Sequence, residues 1–400
     1  MYIRQESFLS FDEIIKFQPT TKLEMILSQI NFDSLLNCLT KPHASRGPKG
    51  YNIEPMLNAL IAMQVEQIKY RKQLVDRLVH DPVFRYNCGF SVLDRTPSEA
   101  SFSRFFTKIS ETKELEECFI NIVKQVKELG IITGNNLAID STKIDSYERA
   151  KPKSQLSNDD VSPNWGMKLD TNGNNIKWFG YKLHIIADTD SELPVSIILT
   201  PANKYDSEVA KDILEKFIKD YKSIMNPKNV IADAGYDSKN NFQYITHEML
   251  SQPIIALNQR GAYAPPEGLD ENMNPVCSMG YPLVYWGKDG DYLKYRCPHV
   301  CGKVSCPQGA KWCSNSDYGY CLKINYKLEN RYYTYPPRHT EQYKKLFNKR
   351  TSVERVNSRL KEHLNVNNQR SAGIKKAFAT CLLSCIALIA GTVAVNKPAA

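Results

Sequence analysis

Apolar residues recur at helical intervals over the first third of the chain and in short blocks after it. Ile53, Met56, Leu57, Leu60, Ile61, Val65 and Ile68 fall mostly at three- and four-residue steps, which makes one apolar helix face. Pro55 suits the first turn of that helix. A second helix is expected over 71–80. Asp81-Pro82 restarts the chain, and Thr96-Pro97-Ser98-Glu99 opens another helix carrying Phe102, Phe105 and Phe106. A further helix near 114–129 stops at Gly130. Residues 1–130 therefore read as a helical domain.

After Gly134 the texture changes. Leu137-Ala138-Ile139 is a short apolar run that ends in Asp140, and Val230-Ile231-Ala232 is another that ends in Asp233. Residues 151–175, rich in Ser, Asn, Asp and Gly, read as a mobile loop. Strands are expected over 178–187 and 193–199 around a turn at 188–192. A helix capped by Asp206 runs to about Tyr221, a helix lies near 241–250, and a strand covers 253–257. Strands alternating with helices predict an α/β fold with a mixed sheet and packed helices. Residues 259–338, with their Gly, Pro, Tyr and Cys, interrupt that pattern, and the chain turns helical again from about 340. The core is thus expected over 131–258 and 339–396, with 259–338 as an insertion.

The stretch 377–396 holds no charged residue and is nearly long enough to span a bilayer. Thr380, Ser384, Gly391 and Thr392 within it favour a buried core helix instead. The first residues lack the basic-then-apolar layout of a secretion signal, so a cytoplasmic protein without a membrane role is expected. The net charge of +9, from 52 basic and 43 acidic residues, is compatible with a polyanionic partner without establishing one.

Asp140 and Asp233 share a local design, a carboxylate where an apolar strand ends. Such a group is held rigidly and still reaches solvent. If the two strands are neighbours the carboxylates converge, repel, and need a hard cation such as Mg²⁺ or Mn²⁺. Asp145, Asp188, Asp206 and Asp237 read as ordinary turn or cap residues. Phe347, Arg350, Glu354 and Lys361 follow F-x2-R-x3-E-x6-K. Steps of three, four and seven return to one helix face, with Val353, Val356 and Leu360 beside it as the buried stripe. Arg350 and Glu354 form a surface ion pair on the plain reading. On the functional reading Glu354 completes a metal cage while Arg350 and Lys361 hold phosphates.

Ile139-Asp140-Ser141-Thr142, the run Ile231 to Ser238 around Asp233, and the helix from Phe347 to Lys361 together resemble the DDE transposases of bacterial insertion sequences. The subgroup resembled carries a Y-x2-R-x3-E-x6-K signature. The resemblance extends to the order of strands and helices and to the N-terminal stretches Leu57 to Leu60 and Ser103 to Phe105. It implies a ribonuclease-H-like catalytic core in which Asp140, Asp233 and Glu354 bind two Mg²⁺ or Mn²⁺ ions. It implies a DNA transposase that nicks transposon ends and joins the freed 3′-hydroxyl to target DNA, as a homodimer on paired terminal inverted repeats. Phe347 stands where the family usually has tyrosine, which keeps the ring and loses a hydroxyl. Lys182 and His184, in Gly180 to His184, share one strand face and are expected near the DNA. The helical domain would recognise the ends, with Lys69, Arg71, Lys72, Arg77, Arg85 and Arg104 as phosphate contacts. A domesticated DNA-binding protein and a nuclease on the same fold are the competing readings.

The insertion carries Cys297, Cys301, Cys306, Cys313 and Cys321, with His299 among them. Their spacings approach those of structural zinc sites, although no C-x2-C pair occurs. Buried free thiols are the other reading. Trp286 and Trp312 are alternatively placed to stack on unpaired bases.

Overall fold

The computed structural model describes residues 10–40, 50–150, 152, 161–169, 173–258 and 264–396. Among the described residues eight helices come first: α1 (Phe11–Lys16), α2 (Lys22–Leu27), α3 (Asp33–Leu39), α4 (Ile53–Val65), α5 (Arg71–His80), α6 (Pro82–Asn87), α7 (Glu99–Ser110) and α8 (Glu114–Glu128). Local chemistry sets their starts. Asp81 accepts from the Phe84 amide at 2.9 Å with Pro82 in the first turn of α6, and Ser98 accepts from the Ser101 amide at 3.2 Å at the start of α7.

The sheet follows as β1 (Asn136–Asp145), β2 (Asn164–Leu169), β3 (Asn175–Asp188), β4 (Leu193–Pro201), then α9 (Asp206–Tyr221), β5 (Asn229–Ala232), α10 (Lys239–Gln243) and β6 (Gln252–Ile255). It runs β2-β3-β1-β5-β6, with β4 also on β3. The pairs of β3 with β1, β2 and β4 are antiparallel, whereas β1, β5 and β6 are parallel, so the sheet is mixed. Two expectations are corrected here. Asp140 lies inside β1, which runs on to Asp145, because antiparallel β3 continues to pair with the polar residues beyond it. Part of the stretch expected to be a loop is β2, which gains its hydrogen bonds from the first half of the long β3; residues 151, 153–160 and 170–172 lie outside the described residues. The helix expected over 241–250 is also divided, with α10 passing into a π turn at Tyr244–Glu248.

Gly180, opposite Asp145 in the β1–β3 pairing, leaves no room for a side chain. A Cβ there would stand 2.2 Å from the Ile144 carbonyl oxygen and 2.6 Å from the Ser146 nitrogen. Backbone atoms cannot yield as a flexible side chain does, so Gly180→Ala is expected to cost roughly 3 kcal/mol or more. An unchanged melting temperature in that variant would mean the strands part freely.

Past β6 comes a small antiparallel sheet of β7 (Val284–Asp289), β8 (Tyr292–Arg296) and β9 (Cys321–Asn325), closed by Leu283, Leu293, Tyr295 and Tyr326. The chain then returns as α11 (Glu341–Asn348), α12 (Thr351–His363) and α13 (Ile374–Asn396). Helix α13, uncharged after Lys376, packs on α2, α4, α7 and α8 and on β4, burying Leu383, Cys385, Ile386, Ile389 and Val393. One continuous hydrophobic core runs from Leu23 in the first helices through the large sheet to Val393.

Candidate active site

The parallel pairing of β1 with β5 puts Ile139 opposite Ala232 and stops there. The next residue on each strand is an aspartate. Asp140 and Asp233 therefore sit side by side, separated by about the spacing of neighbouring strands. Asp233 leaves the sheet by capping a short 3₁₀ turn, accepting from the Gly235 amide at 2.9 Å.

Helix α12 lies against β1, β3 and β4, with Val353, Val356 and Leu360 buried beneath it. The expected single helix from 347 to 361 is two helices. Phe347 lies in the last turn of α11, and Arg350 precedes α12 after a tight turn at residues 348–351. The turn keeps the cluster together. Tyr343 and Phe347 stack with centroids 6.1 Å apart, the Arg350 guanidinium lies 5.8 Å from the Phe347 ring, and Arg350 donates to Glu354 at 2.6 Å. Glu354 is exposed.

Burial, and then the negative charge of Asp233, push the Asp140 carboxyl up to about 7, with Glu354 adding to the effect. Asp233 is also raised, first by burial and then by Asp206. Lys361 is lowered by burial and by Lys168 and Lys143, while Asp140 pulls it the other way. Asp140, Asp233 and Glu354 thus act on one another electrostatically, and Lys143, Lys168 and Lys361 form a basic margin beside Asp140. Hard carboxylate oxygens in mutual repulsion suit Mg²⁺ or Mn²⁺. Among the described residues no three His, Cys, Asp or Glu side chains are gathered tightly enough to grip an ion as they stand. Glu354 is turned to Arg350 instead.

Other expectations are corrected by packing. His184 is fully buried, and its ring shares a hydrogen bond with Thr200 at 3.0 Å, so it is not exposed for contact with DNA. Burial lowers it to about 4, leaving it neutral at pH 7. Lys182 is mostly buried and paired with Asp206 at 3.0 Å. Asp206, read from the sequence as a cap, is therefore part of the surroundings of Asp233. Arg71 bonds Ser371 at 2.9 Å and covers Phe106, Arg77 pairs with Glu66 at 3.2 Å, and Arg85 donates to the Asp94 carbonyl. These three arginines hold the fold together, while Lys69, Lys72 and Arg104 are exposed. In the insertion, Cys297, Cys306 and Cys313 line a cavity of about 260 Å³ with Cys277 and His299, but Cys301 and Cys321 stay outside it. The five sequence-selected cysteines do not form one zinc centre. One face of Trp286 is covered by Arg296 at 4.4 Å, and Trp312 is exposed.

Sequence reasoning missed Asn357. Its side-chain nitrogen donates to Asp140 Oδ2 at 3.0 Å. The available signal was its place one turn after Glu354 on a face already chosen for chemistry.

Against known families, residues 134–390 match the transposase DDE domain and residues 11–108 match the transposase domain (DUF772). The first match covers well over half of the chain, and the protein belongs to the transposase DDE domain family. Transposases of this family are DNA-cleaving and DNA-transferring enzymes that depend on divalent metal, typically Mg²⁺ or Mn²⁺. A piggyBac transposase synaptic complex with hairpin DNA is 12% identical with a TM-score of 0.42, the alignment covering 94% of this chain and 74% of that one.

Proposed function

We propose that the protein cuts transposon ends and joins the freed 3′-hydroxyl to target DNA, with Asp140, Asp233 and Glu354 as the acidic triad. The observation that carries this reading is the register of β1 on β5, which sets Asp140 beside Asp233 with Glu354 close enough to raise both. The sheet order β4-β3-β1-β5-β6, antiparallel on one side and parallel on the other, supports a ribonuclease-H-like core. The R-x3-E-x6-K spacing supports the subgroup whose signature is Y-x2-R-x3-E-x6-K, with Phe347 in the tyrosine position.

Two divalent cations, when bound, supply activation of the attacking oxygen and stabilisation of the leaving oxygen. Asp140 and Asp233 would hold them from the sheet, and Glu354 from α12. Arg350 bridges Glu354 and the Phe347 ring, and turning to a phosphate would free the Glu354 carboxylate. Lys361, with Lys143 and Lys168 beside it, offers positive charge where a DNA backbone would pass. Residues 1–130 are assigned to end recognition, 131–258 and 339–396 to catalysis, and 259–338 to contact with end DNA, in a homodimer on paired ends.

The test is an in vitro reaction on DNA carrying the element's own ends, with Mg²⁺ or Mn²⁺, an EDTA control, and Asp140→Asn alongside. Nicked and joined products that need metal and vanish in the variant support the reading. End binding without cleavage in any metal points to a domesticated DNA-binding protein, and nicking without joining points to a nuclease.

A further inference from the structure

Asn357 lies on α12 between the two groups that the helix brings to the site, one turn past Glu354 and one turn before Lys361. It is buried, and its amide reaches across to β1 and donates to Asp140 Oδ2 at 3.0 Å. The opposite atom of the same amide, Oδ1, is buried with no hydrogen-bond partner among the described residues. A buried amide with only one of its two ends satisfied is costly to keep, and packing alone would be served as well by leucine. The amide's one bond goes to a carboxylate that already suffers burial and the charge of its neighbour. In its ionised, metal-binding form Asp140 only accepts, so the NH₂ end faces it, and the bond fixes which oxygen of Asp140 is occupied and which stays available.

We propose that Asn357 is a positioning residue for divalent-metal binding. Its hydrogen bond orients Asp140 and registers α12, with Glu354, against β1. This rests on the reading of Asp140 and Glu354 as metal ligands. An outer partner that orients a metal ligand changes metal affinity by about 10–100-fold when removed. Neutral asparagine meets the need that a cationic donor would meet at the expense of cation affinity, since a lysine here would repel the ion.

The experiment measures Mn²⁺ affinity of the full-length protein from the free-ion electron paramagnetic resonance signal, with no DNA present, for wild type, Asn357→Leu and Asp140→Asn. End-DNA binding in EDTA and circular dichroism monitor the fold. The expected result is Mn²⁺ affinity weakened by about 10–100-fold in Asn357→Leu, with end binding and fold unchanged. If Asn357→Leu stays within about twofold of wild type while Asp140→Asn loses the ion, Asn357 only fills space and the proposal is overturned. If Asp140→Asn itself retains wild-type affinity, the reading of the triad fails and takes the proposal with it. Should the leucine variant misfold, Asn357→Ser, which is smaller and cannot span the gap, replaces it in the same measurement. Weakened Mn²⁺ affinity in the serine variant then supports the proposal, and wild-type affinity overturns it.

Discussion

Glu354→Gln is expected to lower metal-dependent nicking by more than about a hundredfold while leaving end binding in EDTA intact. The substitution keeps size and removes a charge, and losing even an outer partner of a metal ligand costs about 10–100-fold. Band-shift titration and a nicking assay on the same preparations separate the two effects. Loss of binding along with cleavage would make Glu354 structural, part of the Arg350 pairing and nothing more. The acidic cluster also has a signature without metal. The Asp140 carboxyl is raised to about 7 from an ordinary value near 3.8. A raised group stabilises the fold fully below its unfolded value, and that contribution is lost as pH rises through the folded value. In EDTA the melting temperature should therefore fall between about pH 4 and pH 7 on account of Asp140, and Asp140→Asn should flatten that slope. Mn²⁺ should restore stability most strongly at the alkaline end, where the proton no longer competes. A melting temperature of the wild type in EDTA that matches the slope of Asp140→Asn across that range would contradict the crowding of Asp140.

Arg331→Leu is expected to destabilise the protein by about 3 kcal/mol, read from urea unfolding. Asp237 is fully buried four residues after Asp233. Arg331 grips it with two hydrogen bonds of 2.9 Å, from Nε and Nη2, and the Asn258 amide donates to the same carboxylate at 2.9 Å. Asn258 leads into the 259–338 segment and Arg331 lies near its return, so one carboxylate fastens both ends of the insertion to the loop that follows Asp233. Removing the guanidinium takes the pairing charge and two hydrogen bonds from a buried carboxylate, which is far more costly than losing a surface pair. Arg331→Lys keeps charge but not the fork, and should fall between the two. Stability equal to wild type in Arg331→Leu would show that the insertion is held by its packing alone.

The sequence carried much of this arrangement because its signals were local. Two apolar runs each ending in aspartate meant convergence only if their strands were neighbours, and the β1–β5 register makes them so. The helix ending near Tyr221 reads from the sequence with Asp206 as its cap; Asp206 is instead the first helical residue, after Tyr205 at the N-cap, and the helix runs to Tyr221. What stayed hidden depended on partners far along the chain. β2 exists only because β3 pairs with it, and β1 extends past Asp140 for the same reason. His184 looked accessible on a strand face, yet that position is fully covered in the folded protein. Basic residues in and just before α12 are tied to acidic residues far back in the chain. Arg355 pairs with Glu192 at 2.6 Å and Lys349 with Asp190 at 2.9 Å, pinning the helix to the turn between β3 and β4. No spacing rule could have matched those partners, since more than 150 residues separate them.

Helix α13 bears on how the molecule comes into being. It fills the space between α2, α4, α7 and α8 and the sheet edge at β4, all of which leave the ribosome well before it. A nascent chain halted by a premature stop ahead of Ile374 thus exposes the apolar walls that Leu383, Ile386 and Val393 would have covered. A gene copy that decays at its far end should yield aggregate for the cell's proteases to clear, not a truncated inhibitor that competes for the element's ends.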